Sequence, residues 1–309
     1  MRVWAGFWAL GIIWGSSFLL IKIGVEELTP LQLVAVRIGV AAVAMLLTLY
    51  LSRLRFPRDR ASVLGLIVTG VFNTAVPFAL ITWGEQRIDS GLTTVLNSTV
   101  PLFSLVIAHF ALRDERITVL KVIGLVTGFV GVVVLAGRDA GQGGVDNNLV
   151  RQGAILLAAL CYAGTTVFVR RSLRHLEPLV VSGGALVSAA VVVIAAALLA
   201  DGVPDFGRVS GNVAASVLAL GLVNTYIAYL LFYWIIDRWG ATRATLVTYI
   251  MPPVGLALGV GFLGEVLDAP LVVGALLILA GVVLVNLPVL REALPFLRSV
   301  TQEAAAGGR

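Results

Sequence analysis

The sequence predicts an all-α integral membrane protein in which ten transmembrane helices form two inverted five-helix repeats around a central cavity. Three observations lead there. Hydrophobic residues make up 59% of the 309-residue chain against 13% charged, and the mean hydropathy is +1.00, so the expected solvent is lipid. Ten apolar runs have the length of about 20 residues that a helix needs to cross a hydrocarbon core. Finally, "GVFNTAVPFALITW", from Gly70 to Trp83, returns as "GLVNTYIAYLLFYW", from Gly221 to Trp234, at a constant offset of 151.

The runs cover residues 3–25, 30–51, 61–84, 90–112, 117–136, 150–169, 178–200, 213–236, 242–264 and 270–290. In lipid each must be a helix, because irregular backbone would leave its polar groups unpaired. The first follows Arg2 as a signal peptide would, but it is too long and lacks a small-residue cleavage site, so it reads as a retained span. Arg37 in the second run is a charge placed about 10 Å inside a span, where a cation is expensive and is usually paired or functional. It has three readings: binding a substrate carboxylate, snorkelling to Glu26 or Glu27, or satisfying carbonyls between helices.

The third and eighth runs carry the repeated Asn73-Thr74 and Asn224-Thr225. The fourth and ninth contain Pro101 and Pro252 near the middle, where each ring removes an N–H and displaces the carbonyl four residues earlier. Those carbonyls belong to Asn97 and Thr248, and the prolines are expected to act as hinges or kinks. The fifth and tenth runs hold Gly124, Gly131, Gly274 and Gly281, which suit bracing of the bundle or dimer contacts, leaving monomer and homodimer both open.

Further equivalences tie the halves together. At offset 148 Lys22 matches Arg170 and Pro30 matches Pro178; at offset 151 Trp83, Thr94 and Pro101 match Trp234, Thr245 and Pro252; at offset 150 Glu115 matches Glu265. The organisation is therefore a first five-span unit over residues 1–137, a Gly-rich linker over 138–149, a second unit over 150–291 and a tail over 292–309 expected to be disordered. Five crossings reverse the second unit relative to the first, which is the inverted repeat of transporters, with the site near midplane where the units meet. With the N-terminus inside, 16 Lys and Arg fall on the cytoplasmic side against five outside, so both termini are expected in the cytoplasm.

Depth picks out the polar residues of the middle third. Ser16 and Ser17 lie about 20 Å into their span, Asn73 and Thr74 about 18 Å, and Asn97, Ser98 and Thr99 about 10 to 13 Å. Tyr162, Thr165, Thr166, Asn224, Thr225, Thr248 and Tyr249 fall at comparable depths. Singly, such groups often only join helix to helix, at roughly 0.6 kcal/mol each. As a symmetric set they read as the lining of a substrate cavity. Tyr226, Tyr229 and Tyr233 make an aromatic stripe on the eighth span that either packs or stacks a planar ligand. Lys22 and Arg170, near helix ends, read as anchors or gate residues; Glu115 and Glu265 sit at helix junctions, where capping or loop salt bridges are the simple explanation.

"WGSSFLLIK", Arg37 in "PLQLVAVRIG", and the endings "LRDERITVLKVIGLVTGFVGVVVL" and "LGEVLDAPLVVGALLILAGVVLV" resemble the EamA repeats of the drug/metabolite transporter superfamily. Within it the chain looks most like the YddG-type bacterial exporters of aromatic amino acids. The resemblance implies ten helices, a central cavity, alternating access and a bacterial inner-membrane location. Because Arg37 also stands in permeases of that superfamily with unlike substrates, the resemblance favours a structural role for it.

The expected function is thus export of small amphipathic metabolites, amino acids including aromatic ones foremost, by facilitated diffusion or proton-coupled exchange. No Asp or Glu falls at midplane, so facilitated export is preferred over antiport and a cation exchanger relying on a carboxylate in its first helix is disfavoured. Export of drugs, organic cations or nucleotide precursors on the same fold is the alternative. A membrane enzyme would need a nucleophile with its base, paired carboxylates or a metal cluster, and His109 and His175 stand apart from any such group. No cofactor or metal is expected, Cys161 has no disulfide partner, and the basic residues fall in small clusters between spans, which argues against nucleic acid as a partner. The partners are a small-molecule substrate and the lipid bilayer.

Overall fold

A computed structural model describes residues 2–112, 117–139, 145–287 and 290. The tail, residues 140–144 of the linker and Glu115 lie outside the described residues.

The ten runs fold as α1 (Arg2–Gly24), α2 (Pro30–Leu51), α3 (Arg60–Glu85), α4 (Ser90–Ala111), α5 (Val119–Ala136), α6 (Val145–Ser172), α7 (Pro178–Ala200), α8 (Gly211–Trp239), α9 (Thr245–Leu263) and α10 (Ala269–Val285). Nine are long and apolar enough to span a bilayer, and α10, at 17 residues, is the shorter exception. Starts are marked by local chemistry. Thr29 and Gln32 close a capping box ahead of Pro30 on α2, while Asp59, Thr118, Ser210 and Asp268 cap α3, α5, α8 and α10 through their side chains.

The two halves interlock instead of lying side by side. α2 packs against α7, α3 of the first half against α7 of the second, and α8 of the second against α2 of the first. The repeated glycines permit these crossings: a Cβ on Gly70 would meet the Ala185 carbonyl at 2.5 Å, and one on Gly221 the Arg37 carbonyl at 2.9 Å. Ala185 is the repeat equivalent of Arg37, so the two contacts are related by the internal symmetry. α1 lies on α9 through Gly11 and Gly15, whose added Cβ atoms would each come 2.7 Å from Ile250 or Val254. The last helices of the halves, α5 and α10, pair along Gly124, Gly131, Gly274 and Gly281 with backbone against backbone. Bracing, one of the two roles expected of these glycines, is what they do here.

Four helices are not continuous α-helix. Residues Val71–Ala75 of α3 and Leu222–Ile227 of α8 are π-helical, so the repeated Asn-Thr sits in a one-turn bulge in both halves. α4 stops at Asn97 and restarts at Val100, with Pro101 in the first turn of the new segment. α9 opens as a 3-10 turn over Thr245–Tyr249, and Pro252 again stands in the first turn of the α-helical segment beyond it, Met251–Leu263. Both prolines therefore start the α-helical segment that follows an interruption. A missing N–H costs nothing at that position.

Candidate transport site

Arg37 lies at the junction of the halves. It is only 5% exposed, its Nε donates to Thr225 Oγ1 at 3.0 Å, and its guanidinium carbon stands 4.1 Å from the centroid of the Phe78 ring. Thr225 in turn donates to the Leu220 carbonyl, five residues back, at 2.8 Å. The π turn of α8 thus aims a hydroxyl oxygen at α2. Tyr162 of α6 and Tyr229 of α8, both half-buried, and Glu85 of α3 are close enough to interact electrostatically with the same guanidinium. Among the described residues no carboxylate pairs with Arg37. It does not snorkel: Glu27 instead accepts from the Ser210 N–H at 2.7 Å.

Asn224 turns the other way, toward α1. Its Nδ2 donates to the Ile13 carbonyl and lies 3.1 Å from both Ser16 Oγ and Ser17 Oγ. Ser16, Ser17 and Asn224 are therefore gathered in one place, while Thr225 is turned to Arg37. The repeat equivalent is different: Asn73 is half-buried, and the matching residues of α6, Cys161 and Thr165, bond to each other within the helix at 2.8 Å. Thr74 is fully buried on the same turn. In α4, Asn97 Oδ1 is buried with no partner, while Ser98 and Thr99 return their hydroxyls to the Val95 and Leu96 carbonyls at 2.6 and 2.7 Å.

The remaining expected site residues are placed elsewhere. Tyr226 bonds Thr48 of α2 at 2.7 Å and Tyr233 bonds Ser182 of α7, so two members of the stripe join helices and only Tyr229 faces Arg37. Thr166 is exposed, and Thr248 bonds the Thr245 carbonyl at 2.9 Å. Tyr249 reaches the Val282 carbonyl of α10 at 3.1 Å, away from the junction. Arg170 is exposed at the end of α6.

Lys22 marks the end of the bundle far from the N-terminus. Its Nζ donates to the Glu85 and Ile88 carbonyls, each at 2.8 Å, tying α1 to the α3–α4 turn. Glu265 accepts from the Ser90 and Gly91 N–H groups at 2.6 and 2.9 Å, which is the capping role expected of it, delivered across the halves to the start of α4. Arg138 bridges Asp89 at 2.9 Å and Asp268 at 2.6 Å. This end is closed. Sequence reasoning missed one residue there, Glu85, which is fully buried with neither carboxylate oxygen hydrogen-bonded. Standing at the edge of an apolar run, just before "QRID", it reads as a loop acid, and only the packing of α1, α2 and α6 around α3 reveals its burial.

Two five-helix units with matching π turns, matching proline restarts and a shared junction are what a two-repeat permease requires, and the EamA-like transporter family model matches the chain twice, over residues 3–137 and 152–287. The chain belongs to the EamA-like transporter family. This EamA-like protein is 29% identical over 312 residues to the "Uncharacterized inner membrane transporter YedA" of Escherichia coli (strain K12), covering 99% of this chain and 98% of that one. It is 27% identical over 290 residues to the "Probable terminal-alkyne amino-acid exporter" of Streptantibioticus cattleyicolor, covering 93% and 95%. A solved crystal structure superposes with a TM-score of 0.63 at 20% identity, covering 93% of this chain and 96% of that one, which shows the shared fold. The protein is a multi-pass membrane transporter.

Proposed function

We propose that this EamA-like transporter exports small amphipathic metabolites bearing a carboxylate, amino acids including aromatic ones foremost, across the bacterial inner membrane by alternating access. The observation that carries the reading is Arg37: a buried cation that makes no salt bridge among the described residues, with Glu85 in electrostatic reach, stacked on Phe78 and bordered by Tyr162 and Tyr229, where the two halves meet. A guanidinium presents a planar fork to a carboxylate, and the aromatic rings suit a flat or apolar side chain. A substrate that is only cationic would be repelled there. The name of the Streptantibioticus relative supports amino acids, and that of YedA supports the inner membrane. The excess of Lys and Arg in the loops on the N-terminal side supports cytoplasmic termini.

The test is counterflow in proteoliposomes containing the full chain, with a panel of labelled amino acids, nucleotide precursors and organic cations. Exchange of amino acids above empty vesicles, lost in Arg37→Gln, is the expected result. Exchange confined to organic cations, or unchanged by Arg37→Gln, contradicts the reading.

A further inference from the structure

The inverted repeat brings connections of the two halves together at both ends of the bundle. At the far end the α1–α2 connection meets the α7–α8 connection, where Thr29 Oγ1 donates to Asp201 and the Ser210 N–H donates to Glu27. The halves are thus joined there by their own side chains. The repeat maps this pair of connections onto α6–α7 and α2–α3 at the opposite end, which also holds the N-terminus. Here too they touch: Ser62 Oγ and His175 Nε2 stand 3.1 Å apart, and a Cβ on Gly65 would meet Leu173 at 2.7 Å.

What differs is the charge. "SRLRFPRDR", entering α3, supplies Arg53, Arg55, Arg58 and Arg60, and "RRSLRHLEP", leaving α6, supplies Arg170, Arg171 and Arg174, all of them exposed. The acids of these stretches are Asp59, which caps the Ser62 N–H at 2.8 Å, and Glu177. The equivalent far-end stretches, residues 25–29 and 201–210, carry Glu26, Glu27, Asp201 and Asp205 against Arg208. Among the described residues neither the four arginines before α3 nor Arg171 and Arg174 make a salt bridge, whereas at the far end Arg138 and Arg208 pair with aspartates. A topological signal needs basic residues on one side of the membrane. It does not need them gathered, without counter-charge, on the seam where the halves meet.

Two details fit the patch to the lipid headgroups. Every one of these arginines lies in a span or within four residues of its end, and the exposed Tyr50 and Phe56 flank Arg53 and Arg55 with the aromatic character of a membrane interface. Arg53 also ends α2 in a left-handed turn, φ 56°, closed by the Leu54 N–H on the Leu49 carbonyl at 3.0 Å. Glycine is the usual residue of such a turn. The chain keeps a guanidinium there instead.

We propose that this seam binds anionic phospholipid, whose headgroup phosphates supply the missing negative charge and join the two halves at this end. Guanidinium groups bind phosphate oxygens through charge-assisted bonds, and basic clusters beside a span attract anionic headgroups. A zwitterionic headgroup brings its own cation, and a soluble phosphate lacks the acyl chains that Phe56 and Tyr50 suit. The proposal is independent of the solute carried.

Native mass spectrometry of the full chain released from detergent tests it, with dioleoyl-phosphatidylglycerol or dioleoyl-phosphatidylcholine added at equal concentration. The wild type is expected to retain phosphatidylglycerol over phosphatidylcholine by at least about tenfold. Arg208→Gln, at the far end, is expected to keep that preference, and the combined variant Arg55→Gln, Arg58→Gln, Arg171→Gln and Arg174→Gln to lose it. Equal retention of the two lipids by the wild type, or an undiminished preference in the combined variant, overturns the proposal; the wild-type comparison decides even where the variant cannot be purified. Thermal unfolding in detergent is the second readout: phosphatidylglycerol is expected to raise the melting temperature of the wild type and not that of the combined variant. An equal rise with inorganic phosphate would assign the patch to a soluble anion and overturn the lipid.

Discussion

A guanidinium inside a bilayer has few acceptable surroundings, and Arg37 has an unusual set: one threonine hydroxyl, one phenyl face and two tyrosines. Because stacking and the Nε bond both depend on a planar fork, Arg37→Lys keeps the charge and loses the geometry. Counterflow of amino acids by Arg37→Lys is expected to fall about tenfold or more, equivalent to ~1.4 kcal/mol of lost binding, with membrane insertion unchanged. The interhelical tyrosines behave differently. Tyr226→Phe and Tyr233→Phe each remove one bond, to Thr48 or Ser182, and are expected to cost roughly 0.6 kcal/mol of stability, read as a small drop in detergent melting temperature, with transport retained. At this scale the sequence showed which residues are polar at depth, including Arg37, Asn224 and Thr225. It did not show direction. Asn224 and Tyr229 stand on one helix yet serve α1 and α2, and Glu85 looks like a surface acid until α1, α2 and α6 are placed around it.

The repeated Gly-x-x-Asn-Thr is a device for crossing helices. Glycine lets a partner carbonyl approach, the π turn absorbs the extra residue, and in the second half Thr225 bonds the helix crossed. At Gly70 the obstacle is the Ala185 backbone and at Gly221 the Arg37 backbone, neither of which yields as a side chain would. Gly70→Val and Gly221→Val are therefore expected to destabilise by about 1–3 kcal/mol, whereas Gly261→Ala, which meets nothing within 4 Å, is expected to be neutral; thermal unfolding in detergent separates them. The letters of this device were legible as a repeat at constant offset, but its π form was not, because one extra residue in a helix leaves no compositional mark and is fixed by what the helix packs against. The prolines were legible as interruptions. That they begin new helical segments is due to the turns at Ser98–Thr99 and Thr245–Tyr249, which depend on hydrogen bonds no spacing reveals.

Over the whole molecule the inverted symmetry is kept in the frame and broken in the charges. Arg37 faces Ala185 in the repeat alignment and Glu85 faces Ile236, so among the described residues both buried side chains of charged type belong to the first half. The far end is held by Lys22, Glu265 and the Arg138 bridge. Within that bridge the Asp268 carboxyl, although partial burial works against its charge, is kept below the usual range by Arg138 and the Leu271 N–H. A carboxylate so depressed contributes stability that is present above its unfolded value and lost as pH falls through its folded value. The difference in thermal stability between wild type and Asp268→Asn is accordingly expected to begin shrinking as pH falls below about 4 and to go on shrinking as the pH is lowered further. The ten spans, the two units and the family resemblance were all readable because lipid imposes length and hydropathy on each helix; how the units interlock was not, since apolar faces in lipid carry no polar pattern to mark the buried side.

Opposed insertion of the two units is the claim on which the junction, the gate and the repeat all depend. In a Cys161→Ser background, a single cysteine at Arg55, in the α2–α3 connection, and another at Asp205, in the equivalent α7–α8 connection, report it through a membrane-impermeant thiol reagent applied to intact cells and to inverted vesicles. The account predicts that the two positions label from opposite sides of the membrane. Labelling of both from the same side would contradict it.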